Sequence, residues 1–281
     1  MSIDFRSIHS QTRLYNFHSH TQYCDGRASV ADFAAEAAAC GFLHYGFSPH
    51  SPVPVASGCN MSMADVDAYM ADVDDARHRY DGQLQFHTGM EIDYLGPMWG
   101  PANSYFRDLG LDYAIGSVHF IPAKDGTLVD IDGSFERFSA NMSKYFDNDI
   151  RYVVDSYFSR SLDMIAAGGF DVIGHFDKVA HNASCWQADI EEQHWYADWI
   201  DRMLDAIISS GIIVEINTKS YARFNRLFPA LRHLPRIVEA GIPLIVNSDA
   251  HEPKLINASR EYVFGLLDGI AAARPHQQNP S

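Results

Sequence analysis

The sequence is poor in cysteine and basic side chains, and it has no long apolar run. The four cysteines, Cys24, Cys40, Cys59 and Cys185, form no CxxC pair. In a chain of this length they read as reduced thiols, not as a disulfide framework. Lys and Arg number 21 against 36 Asp and Glu, a formal net charge of -15. A broad nucleic-acid or anionic-membrane surface needs clustered Lys and Arg, so neither partner is expected. The acidity is compatible with bound cations. No segment approaches the roughly 20 apolar residues of a membrane span. Met1–Arg13 is polar and lacks an apolar signal core, so a cytoplasmic location is expected. Neither a P-loop nor a dinucleotide glycine pattern is present. No linker, repeat or composition shift divides the chain. One domain over residues 1–281 is therefore expected, with 271–281 as a frayed tail.

Hydrophobic residues (47%) and histidine (14 residues) are what the sequence has in quantity. The hydrophobic share is enough for a substantial core, which excludes extensive disorder. Seven apolar runs have strand length and composition: Leu14–His20, His44–His50, Leu84–Tyr94, Tyr113–Phe120, Phe170–His175, Ile212–Asn217 and Pro243–Ser248. Helical patterns lie between them. Ser29 and Ser62 stand as N-caps, and Gly41, Gly168, Gly211 and Gly241 stand at C-termini. Asp149–Ala167 and Ile190–Ser210 are long amphipathic stretches, and Pro229–Ala240 and Pro253–Ile270 are shorter ones. Such alternation predicts parallel strands with crossover helices, in an open doubly wound sheet or a closed barrel. Ser51–Asn60, Asp93–Ala102 and Ile121–Phe135 read as long loops after strands.

The polar residues fall where such folds assemble sites. His18 and His20, His50, Glu91, His119, His175, and Asp249 with His251 lie at or near the C-terminal ends of six of the seven runs. Asp25 follows in the first loop, and Asn217 ends the sixth run. Residues i and i+2 of a strand share a face, so the HxH and DxH pairs each project together. Strand C-terminal ends converge on one mouth in parallel α/β proteins. Unpartnered, each buried charge would cost several kcal/mol, and cations relieve that cost. Imidazole with carboxylate and no thiolate suits Zn, Mn, Fe or Co. Nine candidate ligands suffice for two or three divalent ions if a carboxylate bridges. His9, His44, His78, His87, His181, His194 and His233 lack this placement and read as structural or surface residues.

The motifs FHSHTQYCDG (17–26), GFSPHSP (46–52), GMEIDYLG (89–96), GSVHF (116–120), GHFDK (174–178), EINTK (215–219) and NSDAH (247–251) stand in the order of a known family. In them the chain resembles the polymerase and histidinol phosphatase (PHP) family of metallohydrolases, from end to end. The resemblance implies a distorted (β/α)7 TIM-like barrel, in agreement with the seven α/β units. The HSHTxxCDG, SPHSP, GxEIDY and GHFDK segments are similar to the histidinol-phosphatase branch, which implies hydrolysis of L-histidinol phosphate in histidine biosynthesis. The family's metal positions would fall on His18, His20, Glu91 and Asp249 for one ion. Glu91, His119 and His175 would hold a second, and Asp25, His50 and His251 a third. Ser220, where relatives carry Gly, and Lys178, where some place Arg differently, depart from the family pattern.

A phosphomonoester is a stable dianion, so its hydrolysis needs a nucleophile at neutral pH and cations on its oxygens. Divalent ions supply both, through a bridging hydroxide that attacks phosphorus in line. Glu91 would bridge the ions, and Asp249 or His251 would protonate the leaving alkoxide. Phosphate donors are expected in Arg223 and Lys178, with Asn217 touching water or substrate; Arg226 is a further candidate. Asp93 and Asp177 could attract a substrate amine, and Tyr94 and Trp99 could pack on an imidazole. The competing readings are a phosphoesterase for another small phosphoester, such as a nucleotide or sugar phosphate, and a metal-binding subunit without turnover.

Overall fold

The computed structural model describes residues 3–273. Among the described residues nine strands are present: β1 (Tyr15–Asn16), β2 (His44–Phe47), β3 (Gln85–Asp93), β4 (Tyr113–Ser117), β5 (Phe120–Pro122), β6 (Leu128–Asp130), β7 (Val172–Ile173), β8 (Ile213–Asn217) and β9 (Leu244–Asn247). Seven form one sheet in the order β1-β2-β3-β4-β7-β8-β9, and all its pairs are parallel. Each of the seven apolar runs contains one of these strands. The strands wrap into a nearly closed barrel of the TIM-like kind with helices outside.

The seam between β9 and β1 is closed mainly by side chains, because β1 is only two residues long. Asn247 Oδ1 accepts from Phe17 N at 2.9 Å, Asn16 Oδ1 accepts from Ser248 N at 2.9 Å, and Tyr15 Oη accepts from Val246 N at 3.1 Å. Beyond the strand ends, Ser19 and Ala250 form a parallel bridge, with His20 N donating to Ala250 O at 2.8 Å. That bridge sets His18 and His20 against Asp249 and His251. A second bridge, His50 with Glu91, continues the β2–β3 register three residues beyond the Phe47–Thr88 pair.

Inside the barrel Tyr113 takes the space left by two glycines. A Cβ at Gly46 or at Gly89 would lie 2.3 Å from the Tyr113 side chain. The Tyr113 hydroxyl is 2.6 Å from the Phe17 carbonyl oxygen and 3.1 Å from that of Phe47. The buried Arg260 guanidinium seals the base of the seam, donating to the carbonyls of Tyr15, Arg13 and Val246.

Ser29 and Asp32 form the reciprocal capping box of helix Val30–Ala39, and Ser62 caps the 3-10 turn that leads into helix Val66–Arg79. Helices Ile150–Ala167 and His194–Ser210 end at glycines with positive φ, Gly168 and Gly211. Part of the region read as a loop at 121–135 is the antiparallel hairpin β5–β6, whose strands are too short to show a period. The expected helix Pro253–Ile270 is a 3-10 turn, Pro253–Leu255, followed by helix Arg260–Ala272. That helix takes in 271 and 272 of the expected frayed tail; residues 274–281 lie outside the described residues. Among the described residues no helix is long and apolar enough to cross a membrane.

Candidate metal centre

Four overlapping groups of donors meet at the C-terminal ends of the strands, their ligand atoms within 4.8 Å of one another. They are His18, His20 and Asp249; Glu91, His119 and His175; His20, Asp25, His50 and His251; and His50, Asp93 and His119. Glu91 lies between them. Its Oε1 is 2.8 Å from His175 Nε2 and 3.5 Å from His119 Nε2. Its Oε2 is 3.1 Å from His50 Nδ1, 3.2 Å from His18 Nε2 and 3.5 Å from His20 Nε2. One carboxylate thus faces two imidazole sets, one on each oxygen.

Asp249 Oδ1 is 3.1 Å from His20 Nε2 and 3.9 Å from His18 Nε2. Two donors are held by backbone in the left-handed region, His175 at φ 24° and Asp249 at φ 48°. Such angles cost energy in non-glycine residues and gather at functional sites. The third set lies nearest the solvent, with the Asp25, His50 and His251 side chains 34, 13 and 17% exposed.

A second layer of carboxylates orients the imidazoles. Glu215 Oε1 is 2.6 Å from His18 Nδ1, and Asp93 Oδ1 is 2.7 Å from His119 Nδ1. Glu215 also accepts from Asn247 Nδ2, Asn217 Nδ2 and the His175 backbone N–H. Ser117 Oγ donates to Glu91 Oε1 at 2.7 Å. Carboxylate-backed histidines are the usual support of a metal ligand, since the back hydrogen bond fixes tautomer and ring angle.

The electrostatics favour added positive charge. Burial alone would raise the Glu91 pKa, but His18, His50 and His119 hold it well below the usual carboxylate range. Burial likewise opposes ionised Asp249, and Lys219 and His18 outweigh it. Burial, aided by His251 and His50, pushes His20 well below its ordinary value, so its ring is neutral and able to ligate. Burial raises the Cys24 thiol to about 12, which leaves it protonated beside His20. Two buried donor atoms of the third set, Asp25 Oδ1 and His50 Nδ1, lack a well-directed hydrogen bond. Ionised carboxylates, a neutral His20 and unpaired buried donors together fit divalent cations, which would replace the protons that Glu215, Glu91 and Asp93 draw onto His18 and His119.

Residues 16–219 match the family model described as PHP domain. The chain belongs to the PHP domain family. A Deinococcus radiodurans protein named probable histidinol-phosphatase is 25% identical over 254 residues, covering 86% of this chain and 88% of that protein. The histidinol-phosphatase of Bacillus subtilis is also 25% identical over 254 residues, covering 84% of this chain and 92% of its own length. A solved histidinol phosphate phosphatase of Lactococcus lactis, in complex with zinc, L-histidinol and phosphate, superposes with a TM-score of 0.69. It is 17% identical and covers 92% of this chain and 94% of that one.

Within this PHP fold all nine sequence-derived ligand candidates meet at one mouth. Their grouping is less simple than expected, because His20 belongs to two sets and His50 also approaches His119. Three substrate-side expectations change. Asn217 is fully buried and donates to both Glu215 and Asp249, so it positions ligands and does not face substrate. Arg223 is exposed on the turn Tyr221–Phe224 with its guanidinium over the Phe224 ring, and touches no member of the cluster. Arg226 is committed to a two-armed ion pair with Glu191.

Lys178 does reach the mouth: Nζ is 3.4 Å from Asp132 Oδ2, and the side chain is 11% exposed. Burial opposes its charge, but Asp132, Asp249 and Glu91 outweigh burial and raise its pKa. Asp93 and Asp177, the expected partners of a substrate amine, are both buried. Asp93 serves His119 and Asn60, and buried Asp177 accepts from Ala230 N. Trp99 donates to Pro52 O, and Tyr94 is buried. Sequence reasoning missed Glu215, Asp132 and Lys219. The nearest signal for Glu215 was its spacing, two residues before Asn217 on the same face of β8.

Proposed function

We propose that the protein is a metal-dependent phosphomonoesterase that hydrolyses L-histidinol phosphate to L-histidinol and phosphate in histidine biosynthesis. The carrying observation is Glu91, whose two oxygens face two separate imidazole sets. The two relatives named histidinol-phosphatase, matched over most of their length, support the substrate. Two or three divalent ions, of Zn, Mn, Fe or Co, are the cofactors on this reading. His18, His20 and Asp249 hold one, Glu91, His119 and His175 a second, and Asp25, His50 and His251 the third, with Glu91 shared. When bound, such ions make a water acidic enough to attack at neutral pH and neutralise the phosphoryl oxygens.

The chain's own residues do the rest. Glu91 keeps the two sets in fixed relation, and Glu215 and Asp93 hold two imidazoles at their working angles. Lys178 adds a positive charge near the mouth. His251 lies at the rim, so proton delivery to the leaving alkoxide falls to it when the third set is free; Asp249 is buried among cations and stays a carboxylate. The chain works as one cytoplasmic domain on a small-molecule phosphomonoester. Its four free cysteines are in keeping with that reading.

The test is phosphate release from L-histidinol phosphate, p-nitrophenyl phosphate and a nucleoside monophosphate, before and after chelation and metal add-back. Expected is a kcat/KM for L-histidinol phosphate several orders of magnitude above the others, lost on chelation. Equal, slow turnover of all three would sink the substrate assignment and move the search to other phosphoesters.

A further inference from the structure

The cluster at the mouth is strongly anionic. Asp25, Glu91 and Asp249 stand among the imidazoles, with Glu215, Asp93 and Asp132 close behind. A phosphate dianion entering here needs fixed positive donors besides any ion. Lys219 meets that need. It follows β8 by two residues, and its backbone is pinned where buried side chains meet. Lys219 N donates to Asn217 Oδ1 at 3.1 Å, and Thr218 N donates to Asn247 O at 2.9 Å. From there the side chain, 37% exposed, reaches over the rim to place Nζ 3.2 Å from Asp249 Oδ1 and 3.2 Å from His251 Nε2. Lys178, from the neighbouring strand end, pairs with Asp132.

We propose that Lys219 is the phosphate-recognition residue of this site, donating its ammonium to a phosphoryl oxygen of the substrate. The inference rests on the phosphomonoesterase reading above. Asp249 Oδ1 is both a candidate ligand and the lysine's acceptor, and it cannot serve an ion and an ammonium at full strength on one oxygen. The ammonium is then left at the mouth, beside Asp249 and His251, with a donor to spare for an anion. Arg223 and Arg226 do not compete for this role, since one lies over Phe224 and the other is locked to Glu191. Lysine suits the position because it acts as a compact point charge on a flexible stem.

The experiment is calorimetric titration of inorganic phosphate into metal-loaded wild type, Lys219→Met and Lys219→Arg, with metal content per chain measured on each. Steady-state kinetics on L-histidinol phosphate accompany it. Loss of a charge-assisted hydrogen bond weakens binding roughly 10- to 100-fold. Lys219→Met should weaken phosphate binding by about that factor, and raise KM more than it lowers kcat, with metal content unchanged. Lys219→Arg should recover most of the affinity. Unchanged phosphate affinity in Lys219→Met would overturn the proposal. So would a gain of one ion per chain, which would mean the ammonium holds a cation's place, or a loss of ions, which would mean it acts through the ligands. If wild type binds phosphate in a Lys219-dependent way but does not hydrolyse L-histidinol phosphate, Lys219 keeps its role and only the substrate assignment falls.

Discussion

Glu91 is the residue on which the site turns. Replacing it by Gln keeps the shape but removes the charge that faces both imidazole sets. Glu91→Gln should lose turnover by several orders of magnitude with the circular-dichroism spectrum unchanged, and a near-wild-type kcat would reject the bridging role. Asp25, by contrast, stands at the exposed edge of the third set. Asp25→Ala should lower the metal content by one ion per chain and leave the two buried sets loaded, as read by elemental analysis. Glu215 never meets the substrate on this reading; it acts by fixing the ring of His18. Supporting partners of this kind typically contribute 10- to 100-fold to metal affinity, so Glu215→Gln should weaken metal binding by roughly that factor.

At the scale of elements, short strands are compensated by side chains. β1 and β7 have two residues each, too few to position ligands by ladder hydrogen bonds alone. Asn16, Asn247 and Tyr15 supply the missing pairs at the seam, and the bridges at Ser19 and His50 carry the register on to the ligands. Gly89 shows how tightly the barrel interior is filled. A methyl group there would meet the Tyr113 ring, whose hydroxyl is tied to two backbone carbonyls and cannot retreat. Gly89→Ala should destabilise the fold by about 1–3 kcal/mol, the usual cost of overpacking. Urea unfolding would measure it, and an unchanged midpoint would show that the ring can move.

The whole molecule carries a formal charge of -15, and Asp25, Glu91, Asp93 and Asp249 gather at the mouth of the barrel. Cations that bind only the folded chain stabilise it by mass action, so chelation should lower Tm and metal add-back should restore it. A separate acid sensitivity lies at the other end of the strands. Burial, with His44 nearby, lowers the His87 pKa to about 4 from an ordinary 6.5. The unfolded chain therefore binds the extra proton first as pH falls, and folding stability should decline between about pH 6.5 and 4. His87→Gln should flatten that part of the profile in denaturant titrations run across the range.

Much of this was legible in the sequence, because it rests on local patterns. Strand composition, the i, i+2 spacing of HSH and DAH, and the caps at Ser29 and Gly211 are each set within a few residues. So are the family motifs; the apolar runs mark the seven barrel strands, and the motifs hold all nine ligand candidates. The hairpin at Phe120–Asp130 was not legible, since three-residue strands are too short to show a period. Nor was the sharing of His20 between two sets, which follows from how the barrel brings Asp25 and Asp249 to opposite nitrogens of one ring. Glu215 and His18 are 197 residues apart and meet only because the barrel closes. The same closure turns Asn217 inward to Glu215 and Asp249, and lays Lys219 across the mouth beside Asp249. The sequence by itself determined which residue types are delivered to which strand ends. Only the tertiary structure decided which of them face one another, because those contacts depend on strand order and barrel closure, and neither is encoded in any local stretch of chain.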